Sequence, residues 1–287
     1  MSYSGTRSAS EAALRVLTED ELAVWRRERG KRLLRRRGRW WEEVRPGFYH
    51  AIHWMARQRR WQAERPRALC WGFRTTLHEA DASSANGWLP VHLLADLVNY
   101  DFDALPSKLR NKVRKCRRSN EIVEVTAPTL LRDQGYEVRC SVTERLGIWE
   151  PPSKEEYSKG LDRYVGDPHR LILAGLSDGR LGGYLDAFAV DGTAYIDHVY
   201  LRSSALSTEV GTGLVFEFVQ ICRRSGSVRE VVYGLDVPSD QSLKQYKLKM
   251  GFPVAKIPVR FWFVWPAGHL MRWWRPEPYY RLTGIRR

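Results

Sequence analysis

Apolar and polar positions change their period along this chain, and the sharpest changes fall between residues 169 and 252. Residues 169–176, 181–190 and 193–201 are rich in aliphatic, β-branched and aromatic side chains, separated by Ser177-Asp178-Gly179-Arg180 and by Asp191-Gly192. Asp-Gly between two apolar runs is a hairpin signal, so three antiparallel strands are expected here. Leu214, Phe216, Phe218, Val219, Ile221 and Cys222 then follow a helical spacing. Residues 230–235 read as another strand, and residues 240–252 as a closing helix that ends at Gly251-Phe252. Between the third strand and the first of these helices lies Thr208-Glu209-Val210-Gly211-Thr212-Gly213. A glycine turn at a helix N-terminus offers backbone N–H groups without intrahelical partners and the positive end of the dipole, which suits a phosphate or pyrophosphate. The same two glycines also suit a tight strand-to-helix turn that packs closely, and local sequence leaves both readings open.

Upstream the pattern is helical from Ser10. Thr18-Glu19-Asp20-Glu21 has the spacing of a capping box ahead of Leu22 and Trp25. Arg26, Arg27, Arg29, Lys31, Arg32, Arg35, Arg36, Arg37 and Arg39 follow, a basic stripe that ends in Trp40-Trp41 and reads as helix. Residues 47–61 read as a further helix with His50 and His53 on one face. No third ligand stands at a diagnostic offset, so these are expected to be packing histidines rather than a metal pair. The small, polar residues 80–87 are a loop and the expected domain boundary. Leu105, Leu109 and Val113 share one face of a helix whose other faces carry Lys and Arg. Residues 129–165 are expected to be mainly helical, interrupted by a loop at Trp149-Glu150-Pro151-Pro152-Ser153 and restarted by a second capping box, Ser153 with Glu156. Residues 261–265 are aromatic and β-prone. This segment and Trp273-Trp274 are either core or partly buried, the favoured expectation, or form with Arg272 and Arg275 an interfacial or partner-binding surface.

Charge changes this picture at the two ends. The formal net charge is +14, of which residues 1–86 carry +8, residues 87–263 only +2, and residues 264–287 +4. Basic flanks point to a polyanionic neighbour such as nucleic acid, an anionic membrane surface or an acidic polymer; for the first flank the alternative is a solvated helix face whose Trp and Leu residues dock on the domain. With 287 residues, 43% of them apolar and 28% charged, the chain is long and apolar enough for a full core. Cys70, Cys116, Cys140 and Cys222 are widely spaced, which argues against a disulfide framework or a structural zinc site and for reduced thiols in the cytoplasm. No secretory signal is expected, and the longest apolar stretch, residues 261–270, is about half of what a spanning helix needs.

Three antiparallel strands followed by a glycine turn and a helix resemble the core of the GNAT N-acyltransferase superfamily. Gly211 and Gly213 fall on the glycines of its acyl-CoA-binding motif, with Thr208 where Gln or Arg is usual. Residues 105–118, continued by Glu121-Ile122-Val123-Glu124-Val125, resemble the basic helix and strand of the FemAB/BioF2-like branch. So does Tyr246-Lys247 ahead of Gly251, an offset longer than that of the tyrosine in ordinary GNAT enzymes. The resemblance implies an α/β (α+β) fold: a GNAT-like mixed, mostly antiparallel central sheet flanked by helices over residues 88–263. To this the sequence adds a helical, basic N-terminal extension over residues 1–87 and a basic aromatic tail over residues 264–287. It implies acetyl-CoA or another acyl-CoA as co-substrate at Thr208, Glu209, Val210, Gly211, Thr212, Gly213 and Lys247, no metal, and direct N-acyl transfer to an amine of a small molecule, an amino sugar or an envelope precursor.

Transfer of an acyl group to an amine needs a base, an oxyanion donor and a proton route to the leaving group. Asp197 and His198 on the third strand are the candidate base, with Tyr246 as candidate acid. Strict strand alternation lets only one of the first two face an acceptor. Asp186 and Asp236 are weaker candidates. Two other readings stand beside this one: an aminoacyl-tRNA-dependent transferase whose basic flanks meet RNA, and a non-catalytic protein that binds membrane or nucleic acid on a degenerate scaffold. Peripheral attachment at the inner membrane face is compatible with each, and the sequence does not fix the oligomeric state.

Overall fold

A computed structural model of the chain describes residues 4–147, 150–237 and 240–285. Its first elements are β1 (Thr6–Ser8), β2 (Val16–Leu17), α1 (Glu19–Glu28), β3 (Leu33–Arg36), β4 (Arg39–Arg45), β5 (Phe48–Ala51), β6 (Gly72–Thr76) and β7 (Gly87–Leu94). There follow α2 (Ser107–Ser119), β8 (Glu121–Val125), α3 (Tyr136–Leu146), α4 (Lys154–Lys159), α5 (Leu161–Val165), β9 (Leu171–Ser177), β10 (Arg180–Val190) and β11 (Thr193–Leu201). The chain closes with α6 (Val210–Ser225), β12 (Glu230–Leu235), α7 (Gln241–Lys249), β13 (Val254–Phe263), α8 (Ala267–Trp274) and α9 (Pro276–Thr283). They form two compact units, one from residues up to 16 with residues 94–232, the other from residues 17–93 with residues 233 onward.

In the first unit the strands run in the order β1-β8-β9-β10-β11-β12, antiparallel except for the parallel last pair. Both expected Asp-Gly hairpins are present, with Asp178, Gly179, Asp191 and Gly192 all at positive φ, the backbone of a type I′ turn. Ile172, Ala174 and Leu176 alternate onto one face of β9 and pack with Leu131, Val138, Leu161 and Val165 from the helical segment. The other face receives α6, whose residues Val210–Phe216 are buried without a break. A helix buried on several sides needs a second cover, and α2 supplies it through Leu109, Val113 and Cys116. Gly213 permits that approach: a Cβ there would overlap Cys116 Sγ. Each fully buried Leu or Phe in this layer contributes roughly 1.5–3 kcal/mol.

In the second unit the order is β7-β13-β6-β5-β4-β3. The helical extension expected over residues 1–87 is corrected here. The Thr18–Glu21 capping box forms and starts α1, but the helix ends at Glu28, and residues 33–51 are strands. The cause is local: Arg37-Gly38 and Gly47 adopt positive φ and turn the chain between β3, β4 and β5, which no continuous helix could do. The Arg and Trp stripe therefore alternates across a hairpin, leaving Trp41 fully buried against Tyr49, Cys70 and Phe73. His50 lies in β5 and His53 beyond its end, so they share no helix face. Nor is the C-terminal segment a separate tail, because Arg74 donates to Arg281 O at 2.9 Å and Tyr280 and Thr283 are buried. The loop expected at Trp149 lies partly outside the described residues, and the Ser153–Glu156 capping box after it is formed.

Candidate functional site

A one-residue irregularity in β11 builds the site. Ala187 pairs with Ile196 but Asp186 pairs with His198, so Asp197 is the extra residue of a β-bulge. A bulge interrupts alternation. Both Asp197 and His198 therefore reach one cluster, their nearest polar atoms 3.6 Å apart, and the strict alternation expected to send them to opposite faces does not hold here. Parallel pairing of β11 with β12 covers Thr193, Ala194 and Tyr195 and stops there, just before the bulge.

Asp186 is the centre of the cluster, with no solvent exposure. Its Oδ1 lies 3.1 Å from His198 Nδ1, and its Oδ2 accepts from Tyr164 Oη at 2.6 Å and from Arg170 NH1 at 2.7 Å. Arg170 NH1 also reaches Asp197 Oδ2 at 3.2 Å. Burial alone would raise the Asp186 pKa, but the hydrogen bond and charge of His198, the Arg170 charge and the Tyr164 hydroxyl together hold it below the ordinary value. The hydrogen bond to Asp186 raises the His198 pKa above the ordinary histidine value, with burial opposing and the charges of Asp186 and Asp197 assisting. Burial, then the Asp186 charge, raise that of Tyr164, which stays a neutral donor. Because Asp186 is an acceptor-only carboxylate, His198 Nδ1 carries the proton, and Nε2 of this half-exposed ring is the nitrogen left to accept one. His198 stacks on Tyr200 with centroids 5.5 Å apart, and Arg139 lies 4.1 Å from the Tyr200 ring centre. Asp186, Asp197 and His198 offer ligand atoms within 4.8 Å of one another. Arg170, bonded to both carboxylates, already occupies a cation's place there.

The glycine turn is placed differently from a bare anion cradle. Thr208 closes a 3-10 turn, its hydroxyl donating to Ala205 O at 2.8 Å and its carbonyl accepting from Asn120 Nδ2 at 3.1 Å. Glu209, at φ 60°, precedes α6. Its carboxylate accepts from Lys112 Nζ at 2.8 Å and from Thr212 Oγ1 at 2.9 Å. Val210, Gly211, Thr212 and Gly213 are buried. A negative side chain of the protein itself thus stands at the positive end of α6.

Tyr246 and Lys247 belong to the second unit, on α7. Tyr246 packs edge-on to Tyr233 at 6.4 Å, and Lys247 Nζ lies 5.0 Å over the same ring. Lys247 is 7% exposed, and burial pushes its ammonium down to about 8 against the charges of Asp240 and Asp236. Asp236 is held by Lys244 at 2.9 Å and lies 3.5 Å from the buried His92.

Sequence reasoning passed over Arg170 and Tyr164 and ranked Asp186 low. Asp186 did carry a signal, as a lone acid among the apolar residues of β10. Arg170 and Tyr164 carried none, since their role depends on how the α5–β9 connection returns to the sheet.

This sheet order, with its bulged strand followed by a turn and a buried helix, is the GNAT-like fold, mixed α/β and mostly antiparallel. Among solved structures the chain is similar to the C-terminal domain (DUF2156) of a putative lysylphosphatidylglycerol synthetase from Agrobacterium fabrum, at 13% identity and TM-score 0.56 over 88% of this chain and 89% of that one. It is also similar to L-PGS from Bacillus licheniformis, at 13% identity and TM-score 0.53 over 85% and 92% of the two chains. FemX is similar at 10% identity and TM-score 0.54 over 71% and 75%. No family model matches the chain, and no curated protein matches its sequence.

Proposed function

We propose that this chain is an acyltransferase that moves an aminoacyl group from an aminoacyl ester, the 3′ end of a charged tRNA, directly to an amine acceptor. The observation that carries the chemistry is His198 held through Nδ1 by the buried Asp186, with Nε2 available beside the point where β11 leaves β12. The acceptor nitrogen attacks the ester carbonyl, its proton passes to Nε2, the C–N bond forms and the C–O bond breaks. The imidazolium then returns that proton to the departing 3′-oxygen. An Asp-oriented histidine with a raised pKa is suited to both halves of this cycle.

For the donor, Glu209 is the discriminating residue. Its carboxylate, paired with Lys112 and Thr212, already occupies the head of α6 where a pyrophosphate would sit, a group that acyl-CoA has and a tRNA 3′ end lacks. α2 supports an RNA donor: Lys112 and Arg117 pair with Glu209 and Glu217, but Lys108, Arg114, Lys115 and Arg118 are exposed on a helix without an acidic residue, the chemistry of a phosphate-backbone contact. The likeness to a putative lysylphosphatidylglycerol synthetase domain agrees with aminoacyl transfer. A second reading, acyl-CoA as donor, is favoured by Gly211 and Gly213 in the first turn of α6, the helix that follows β11 through a 3-10 turn, and the acceptor class is the same, an amine on a small molecule or envelope precursor. The test offers tRNA charged with labelled amino acids and, separately, labelled acetyl-CoA, each with a panel of amino sugars and envelope-precursor amines. Label passing from tRNA but not from CoA, and lost in His198→Ala, is the expected result. Transfer from acetyl-CoA alone hands the site to the second reading, and transfer from neither refutes both.

A further inference from the structure

The second unit exposes large aromatic side chains where its chain leaves β13. Trp265 is 80% exposed, Trp273 69%, Trp274 78% and Leu270 47%. This overturns the expectation that the C-terminal tryptophans pack on the core. Leu270, Trp273 and Trp274 stand at i, i+3 and i+4 of α8 and share one face. Ala267, Gly268 and Met271 form the half-buried face, with Gly268 close against Phe263. Arg272 is exposed on another face of α8, about 100° round the helix from Trp273, Arg275 is exposed at its C-cap, and Glu277, the acid that follows them, is held by Arg281 at 2.8 Å.

We infer that α8, with Trp265 at its entry, is an interfacial anchor that lies flat in the headgroup region of an anionic phospholipid bilayer. Three features commit the surface to this occupant. An exposed cluster of indoles is costly in water, and an indole, with an apolar body and one N–H donor, is suited to the boundary between headgroups and acyl chains. The exposed guanidinium groups of Arg272 and Arg275, on and just after the same short helix, supply the charge complement of anionic headgroups, which a purely apolar protein partner would not require. An eight-residue helix is about 12 Å long. It can therefore lie on a bilayer but not cross one, and no helix among the described residues is long and apolar enough to cross. The inference is independent of the proposed chemistry, since none of these residues belongs to the Asp186 cluster.

The test is sedimentation of the full chain with vesicles of phosphatidylglycerol mixed into phosphatidylcholine and with vesicles of phosphatidylcholine alone. The variants are Trp265→Ser/Trp273→Ser/Trp274→Ser and Arg272→Glu/Arg275→Glu. The wild type is expected to sediment with the anionic vesicles, and the triple serine variant to partition about tenfold or more weakly. The charge-reversed variant should lose its preference for anionic lipid, and added salt should weaken wild-type binding in the same direction. The altered side chains are exposed, so the variants keep the wild-type circular dichroism and donor turnover, which separates loss of anchoring from loss of fold or chemistry. The inference fails if the wild type stays in the supernatant or the triple variant binds as the wild type does. It also fails if light scattering shows a dimer that the triple variant converts to monomer while vesicle binding is unchanged, because a second copy would then be the occupant.

Discussion

Gly213 offers a direct test of what the glycine turn is for. Alanine there adds one methyl at the α2–α6 contact, where it overlaps Cys116 Sγ and approaches Cys116 Cβ to 3.1 Å. Both residues are buried and both sit on helices, so neither can step aside into solvent. Overpacking of this kind costs about 1–3 kcal/mol. For a unit of this size each kcal/mol lowers the melting temperature by about 2–4 °C, so Gly213→Ala should melt about 2–12 °C below the wild type. Cys116→Ala removes the overlapping sulfur and leaves the 3.1 Å contact, which a shift of a few tenths of an ångström relieves. In the double variant the added methyl should therefore cost much less than it does alone, a coupling of about 1–2 kcal/mol by double-mutant cycle. Thermal melts of the four proteins by circular dichroism measure it. A Gly213→Ala variant as stable as the wild type, or one that Cys116→Ala does not rescue, would refute the packing account. A glycine kept for backbone contact with a pyrophosphate would instead lose ligand binding, whatever stands at position 116.

Two pH predictions follow from the buried charges. The His198 pKa is raised, so the stability its pair with Asp186 supplies is complete below the ordinary histidine value of about 6.5 and fades as pH rises through the higher folded value. Asp186→Asn removes the hydrogen bond behind that shift and should move the ring titration, followed by NMR, to lower pH along with the acid limb of the transfer rate; an unmoved titration would refute the pairing. Lys247 has the opposite sign: with its folded pKa near 8 and an ordinary value of about 10.4, the unfolded chain binds more protons between the two. The second unit should therefore gain about 3 kcal/mol over that window, a rise that denaturant titrations should show in the wild type and not in Lys247→Met.

The sequence displayed the parts of the fold whose causes are local. Asp178-Gly179 and Asp191-Gly192 are type I′ turns because aspartate and glycine tolerate positive φ, and the Thr18 and Ser153 capping boxes depend on side chains three residues apart. Residues 33–51 were misread because arginine and tryptophan suit a helix face as well as a twisted hairpin. What distinguishes the two is the positive φ of Arg37 and Gly38, and arginine gives little sign of it. The partition into two units was hidden for a different reason. Residues 17–93 and 233 onward belong together through strand pairs such as β13 with β6 and β7, across separations that no local period records.

The site was half legible for the same physical reason. Asp197 and His198 were visible as polar residues on a strand, but alternation predicts that one of them is wasted. The bulge removes that restriction, and in doing so it makes the buried Asp186 tenable. A carboxylate without solvent exposure needs donors on both oxygens, and two of its three, Arg170 and Tyr164, serve Oδ2 only. Oδ1 is served by His198 through a register that exists because β11 carries one residue more than β10 requires. With strict pairing, His198 would move to the opposite face. Oδ1 would then lose this donor, and burial, opposed by Arg170 and Tyr164 alone, would raise the Asp186 pKa. The bulge therefore does two things with one residue: it gives His198 its orienting carboxylate, and it adds the Oδ1 donor that, with Arg170 and Tyr164, holds the Asp186 pKa down so that Nε2 is the basic nitrogen.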